Sequence, residues 1–241
     1  MQLQNVFLLL LAPYLSLDSV ALTFVLKREA TFSALLAEKF PQLGAPKADA
    51  APLEYRAQLL WQPFRLLQRE VGTVDAGVYR KLTSEYIADG VITVTHHPSG
   101  HVRRRRYRAS HPDAVNECRF LQDTLNAQAL WPNFEGFVFN TRHLLFNHIL
   151  AVTGETNYKG RAALLLDARP KSTGVIDWFE ESWGLADKLT ITIDAQTGMM
   201  LAFAAFARGE CYEQAAVQDL HLTLAPRVTA RLPLYHGGSW S

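Results

Sequence analysis

The residues best suited to chemistry in this chain are arginines. Arg103–Arg106 run consecutively, with Arg108 just beyond. A guanidinium holds a carboxylate or a phosphate through paired hydrogen bonds. Such a run would serve a nucleic acid, an anionic membrane surface or a single anionic head group. The segment reads as a strand, where alternate residues fall on opposite faces. Arg104, Arg106 and Arg108 then share one face, and Arg103 and Arg105 the other. Charges on a protruding edge strand also block sheet-to-sheet aggregation. Four guanidiniums on both faces cannot occupy a continuous core, so the run is expected on an exposed strand or hairpin. Arg104 and Arg106 are the candidate contacts to an anionic head group. A net charge of +1, from 24 basic and 23 acidic residues, argues against nucleic acid as the partner.

Other candidates are poorer. His96, His97 and His101 flank a tight turn. His96 and His97 are strand neighbours and point to opposite faces, so two imidazoles at most converge, and no nearby Cys or Asp completes a metal site. Asp177, Glu180 and Glu181 lie among Trp178, Phe179 and Trp183, which reads as a loop anchored by its aromatics. The chain carries no GxSxG elbow, GxGxxG turn or GxxxxGKS loop. No catalytic residue, metal or cofactor is expected. Cys118 and Cys211 form no disulfide scaffold. One bridge is open to them in an oxidising compartment, and two separate thiols is the simpler reading.

At 241 residues, 49% hydrophobic and 20% charged, the composition is that of a globular chain, here expected to form one domain over 1–241. No apolar run reaches the roughly 18–20 residues of a helical membrane span. Val6–Ala12 reads VFLLLLA, and Ser19-Val20-Ala21 resembles a small-x-small cleavage site. Residues 1–21 are therefore either a secretory signal or a buried first helix, with LTFVLKR after it as the first strand. The first alternative implies a periplasmic or cell-envelope location, the second a cytoplasmic one.

These residues must be positioned by strands. Tyr55, Ala57, Leu59 and Trp61 alternate with polar partners, and Pro63 stops or kinks the run before Phe64–Val71 resumes it. Asp89-Gly90 and Pro98-Ser99-Gly100 turn a three-stranded meander over 78–108. Asp113–Leu125 and Thr141–Val152 have helical spacing, with Leu145, Ile149 and Val152 on one face and Asn140 as an N-cap. Strands return at Arg161–Ala168, Lys188–Asp194, Met199–Arg208 and Tyr212–Leu224, the last as one strand or two. Gly44–Pro52 is linker-like. Strands on both sides of one helical block predict an antiparallel sheet with helices gathered on its concave face.

Four segments in this order resemble the LolA-like superfamily of periplasmic lipoprotein carriers and RseB-type sensor domains. They are LLWQPFRLLQRE at 59–70, SEYIADGVITVTHHPSGHVRRRRYR at 84–108, NTRHLLFNHILAV at 140–152 with GRAALLLDARP at 160–170, and DKLTITIDAQTGMMLAFAAFARGE at 187–210. In the carriers an arginine precedes the strand-breaking proline; here Gln62 precedes Pro63. The resemblance implies an unclosed half-barrel of antiparallel strands under a helical lid, with no enzymatic activity. The space between would hold a lipid, an acyl chain or a lipidated protein, bound by a monomer that meets an anionic membrane surface. Its candidate walls are Tyr55, Leu59, Trp61, Ile92 and Val94 from the first half. Leu164, Leu166, Ile191, Leu201 and Phe203 supply the second half, and Leu145, Ile149 and Val152 the lid. The same fold with its space filled by its own side chains, as a sensor or structural domain, is the alternative. An enzyme with its pocket on the curved sheet is a third.

Overall fold

Alternation dictates the first strand. In β1 (Leu17–Arg28) Val20, Leu22, Phe24 and Leu26 are all buried on one face. The computed structural model describes residue 10 and residues 17–39, 53–62, 66–88, 91–97, 99–106, 142–171 and 183–224. After β1 comes the helix α1 (Thr31–Lys39). The strands β2 (Leu53–Gln62), β3 (Leu66–Asp75), β4 (Val78–Ala88), β5 (Val91–His96) and β6 (His101–Arg106) follow. A short helix α2 (Arg142–Asn147) leads into β7 (His148–Tyr158) and β8 (Arg161–Pro170). A 3-10 turn at Trp183–Leu185 then precedes β9 (Lys188–Asp194), β10 (Met200–Ala207) and β11 (Glu210–Leu224).

All eleven strands form one antiparallel sheet in the order β6-β5-β4-β3-β2-β1-β11-β10-β9-β8-β7. The chain thus begins at the centre of the sheet, meanders to one edge, and returns from the other edge to pair β11 with β1. The edges β6 and β7 do not pair with each other, so the half-barrel stays open. Three of its hairpins use the same turn. Ala76-Gly77, Lys159-Gly160 and Arg208-Gly209 all have both φ angles positive, the geometry whose twist matches paired strands.

Cross-strand pairing organises the core into rows. One row runs Tyr55, Leu26, Ala215, Phe203, Ile191, Leu166 and Val152, from β2 to β7. Its neighbour runs Arg28, Glu213, Ala205, Leu189, Ala168 and Leu150. Most of these side chains are buried, so this is the inner face.

The predicted meander over 78–108 and all four later strands are present, and Tyr212–Leu224 belongs to a single strand. The predicted helix Thr141–Val152 is corrected. Only Arg142–Asn147 is helical, and Ile149 and Val152 lie on β7, not on a lid. The spacing of Leu145, Ile149 and Val152 fits a helix, but β-branched Ile149, Val152 and Thr153 favour a strand once a partner is available. That partner is β8, where Val152 pairs with Leu166. Strand periodicity then buries His148 and Leu150 and leaves Ile149 65% exposed. In α2 it is Leu144 that is fully buried, and Leu145 only partly. Residues 113–125, the linker-like 44–52 and the acidic loop around Asp177 lie outside the described residues.

Candidate functional site

The inner face is where a ligand would meet the sheet. Five predicted wall residues of its second half, Leu164, Leu166, Ile191, Leu201 and Phe203, are 0–3% exposed. In the first half Leu59 is 6% exposed and Tyr55 is half-buried. Trp61 pairs with Val20 and Leu67 through the backbone. Ile92 and Val94 pair with Ile87 and Glu85 on β4. The side chains of Trp61, Ile92 and Val94 lie outside the described residues. The register therefore joins Tyr55, Leu166, Ile191 and Phe203 in one row, with Val152, assigned to the lid by spacing, at its β7 end.

Among the described residues, a 3-10 turn and the helix α1 pack against the core here. The Trp183 indole is buried against the edge of the Phe203 ring, with centroids 5.3 Å apart. It also meets the His148 imidazole at 6.3 Å, again edge-on. Leu185 is buried beside it. Trp183 is thus an aromatic anchor of the kind the sequence pointed to. The second element is α1, which has no fully buried residue but packs Phe32, Leu35 and Leu36 against the core. The two are linked, because the Lys39 ammonium donates to the Gly184 carbonyl. The turn is further tied to β10, where the Asp187 amide donates to the Phe206 carbonyl at 2.8 Å.

A charged pair lies under α1. Arg28 Nε donates to Glu213 Oε1 at 2.6 Å, and the Glu213 side chain is fully buried. The Arg28 guanidinium stacks 4.4 Å over the Phe32 ring and lies 5.9 Å from that of Tyr55. Phe32 also stacks on Tyr212 at 6.1 Å. A β-bulge makes this arrangement. Ala205 pairs with Glu213 but Phe206 with Cys211, so Tyr212 is the extra residue, and both Tyr212 and Glu213 are buried. Burial and the neighbouring Glu213 carboxylate hold the Tyr212 hydroxyl well above its ordinary pKa. Sequence reasoning missed both this pair and α1. The i, i+3, i+4 spacing of Phe32, Leu35 and Leu36 was the available signal for the helix. Glu213 shares the inward alternation of Ala215 and Val217, and the bulge that also buries Tyr212 left no signal.

At the other end of the face, Asp194 organises the β9–β10 turn. Its carboxylate accepts from the Gln196 and Thr197 amides, from Thr197 Oγ1 at 2.9 Å and from Arg161 Nε at 2.5 Å. Burial alone would raise its pKa, but these bonds outweigh burial and lower it. That is a structural role. His97 Nε2 lies 2.8 Å from Ser84 Oγ on an exposed turn. No cluster of three metal-donor side chains occurs among the described residues. Cys211 is a half-buried free thiol raised in pKa by burial, and Cys118 lies outside the described residues.

The arginine run forms β6, which among the described residues is the last strand of the sheet on that side. Arg104 pairs with Thr93 and Arg106 with Val91. The register partners of Ile92 and Val94, predicted as walls, are instead Arg105 and Arg103. The side chains of Arg104 and Arg106 lie outside the described residues.

These features define an open, single-sheet antiparallel half-barrel whose apolar face is capped by short connecting elements. No family model matches the sequence, and no curated protein is similar to it in sequence. Among solved structures the chain is similar to MucB, at 17% identity and a TM-score of 0.47 over 91% of this chain. It spans 58% of MucB. It is also similar to LprF from Mycobacterium bovis, at 10% identity and a TM-score of 0.44, over 90% of this chain and 93% of that one. For a LolA superfamily protein from Nitrosomonas europaea the identity is 10% and the TM-score 0.29, over 94% of this chain and 96% of the other. No helix among the described residues is long and apolar enough to cross a membrane.

Proposed function

We propose that this chain is a non-enzymatic binding protein of the cell envelope. It takes an acyl chain, free or attached to a protein, against the inner face of the half-barrel. The observation that carries this reading is the kind of cover the face has. Among the described residues the Phe203 position of the row is capped by a three-residue turn through Trp183, and a nine-residue helix lies beside it over Tyr212 and Arg28, with no second sheet. α1 buries none of its own residues fully, and its displacement would uncover Tyr212 and the Arg28–Glu213 pair beneath it. A 16-carbon chain gains roughly 12 kcal/mol from burial at about 0.8 kcal/mol per methylene. That gross gain is large enough to offset both the displaced contacts and the cost of ordering the ligand. The Trp183 plug and the ligand would occupy the same space in turn.

A second reading has its own observation. Trp183 is only 3% exposed and lies edge-on to two rings, as a permanent core residue would. The domain would then be a sensor or structural module whose space is filled by its own side chains.

Titration with a fluorescent 16-carbon fatty acid separates the two. As a carrier, the unaltered protein binds saturably, and Trp183→Ala binds more tightly because no plug must leave. As a filled module, neither protein binds, and Trp183→Ala loses about 3–5 kcal/mol of stability as an ordinary cavity mutant.

A further inference from the structure

His148 stands at a corner of the inner face, where β7 begins. It pairs with Pro170 of β8, and Leu150 pairs with Ala168, so both side chains turn inward and are buried. His148 is 4% exposed. Its Nδ1 is buried and has no hydrogen-bond partner among the described residues. An unmatched ring nitrogen in a core costs stability, and a phenyl ring would fill the same space without that cost. Glu213 Oε2 is orphaned too, but its carboxylate is already paired with Arg28.

A positive charge stands beside the ring. Lys171 follows Pro170 directly, and its amide donates to the Asn147 carbonyl at 2.8 Å, which fixes it next to His148. Its ammonium donates to the Leu145 carbonyl, also at 2.8 Å. Burial first, and then the Lys171 charge, disfavour the protonated imidazole. A neutral imidazole places its one N–H on either nitrogen, so Nδ1 can donate. An N–H donor beside an ammonium favours an anion, and a carboxylate accepts from both.

Trp183 ties this corner to the apolar row. Its indole lies edge-on to His148 at 6.3 Å and to Phe203 at 5.3 Å. One side chain therefore covers both the polar corner and the row, and a ligand that takes its place meets both at once. A long apolar tail ending in an anion has the matching chemistry. Resting on the reading of the inner face as an acyl-chain site, we propose that His148 and Lys171 hold the head group of the ligand and that this group is a free carboxylate. The carboxylate accepts from His148 Nδ1–H and pairs with the Lys171 ammonium, while the chain lies over Phe203 and Ile191.

The test compares palmitate with methyl palmitate, whose ester stands in for a chain attached to a protein. Each is titrated against the full chain at pH 7.5 in competition with the fluorescent 16-carbon fatty acid. Palmitate is expected to bind about tenfold or more tighter than its ester, as for hydrogen bonds to a charged group. His148→Phe keeps a ring and removes Nδ1, and Lys171→Met keeps the stem and removes the charge. Each is expected to remove most of that preference. Thermal melting checks that both variants are folded; should His148→Phe not be, Lys171→Met, at a partly exposed position, carries the test. Equal affinity for acid and ester in the unaltered protein would overturn the head-group site and leave the acyl-chain reading standing. Binding of neither would overturn that reading and the head-group site with it. A preference kept in the folded variants would place the carboxylate elsewhere and overturn the assignment to His148 and Lys171.

Discussion

Arg28 and Glu213 face each other across the β1–β11 junction, 2.6 Å from Nε to Oε1, in a cross-strand row that is otherwise apolar. The carboxylate is fully buried, and the Arg28 side chain is 19% exposed, its guanidinium over the Phe32 ring and near that of Tyr55. The pair sits where the strand that begins the sheet meets the strand that ends it. It therefore ties the two halves of the half-barrel together beneath α1.

Removing one member of such a pair leaves a buried charge without compensation. Glu213→Ala is expected to lose about 3–5 kcal/mol, read as a lowered urea midpoint. The double replacement Arg28→Met/Glu213→Leu, which leaves no charge behind, should recover most of that loss. Equal losses in the single and double variants would show that side-chain volume matters there and charge does not.

His148 makes the cover sensitive to acid. Burial, and then the charge of Lys171, push its pKa down from 6.5 to about 4. The folded protein thus keeps it neutral at pH values where the unfolded chain has already taken up a proton. The stability this group contributes is complete above pH 6.5 and is lost as pH falls from 6.5 towards 4, by at most about 1.4 kcal/mol per unit. Thermal melts at pH 7.5 and pH 4.5 should show this loss, and His148→Phe should flatten the slope. Because the imidazole packs on Trp183, the same acid step is expected to loosen the plug.

Gly72 tests the strand register independently of the site. A β-carbon there would lie 2.5 Å from the Arg80 carbonyl oxygen and 2.4 Å from the Tyr79 ring. The ring can swing away, but the carbonyl belongs to the β3–β4 ladder, where the register shifts between Val71 and Gly72. Gly72→Ala should cost about 1–3 kcal/mol, the usual range for overpacking. Gly77→Ala, with open space around it, should cost only the strain of its positive φ of 80°. A smaller loss for Gly72→Ala than for Gly77→Ala would contradict the register.

The sheet was legible because its signals are local. The alternation of Leu189, Ile191 and Ile193, the Arg208-Gly209 turn and the Leu82–Tyr86 run each specify a strand without reference to distant residues. The burial of Leu164, Leu166, Ile191, Leu201 and Phe203 followed from the same alternation. What sequence could not supply was choice of partner. Ile149 and Val152 satisfy a helical period and a strand period, and pairing with β8 decides between them. Likewise, nothing near Glu213 in sequence announces that it meets Arg28, 185 residues away, or that a bulge buries Tyr212 beside it.

Displacement of the cover is most directly read by amide hydrogen exchange with and without saturating palmitate. The Ala186 amide donates to the Trp183 carbonyl at 3.0 Å and the Asp187 amide to the Phe206 carbonyl at 2.8 Å, so both report on the turn. Binding under a displaced plug predicts faster exchange at Ala186 and Asp187, with unchanged or slower exchange along β8 and β9. No change at these amides, or slower exchange there on palmitate addition, would mean that Trp183 stays in place and that the inner face is not the binding site.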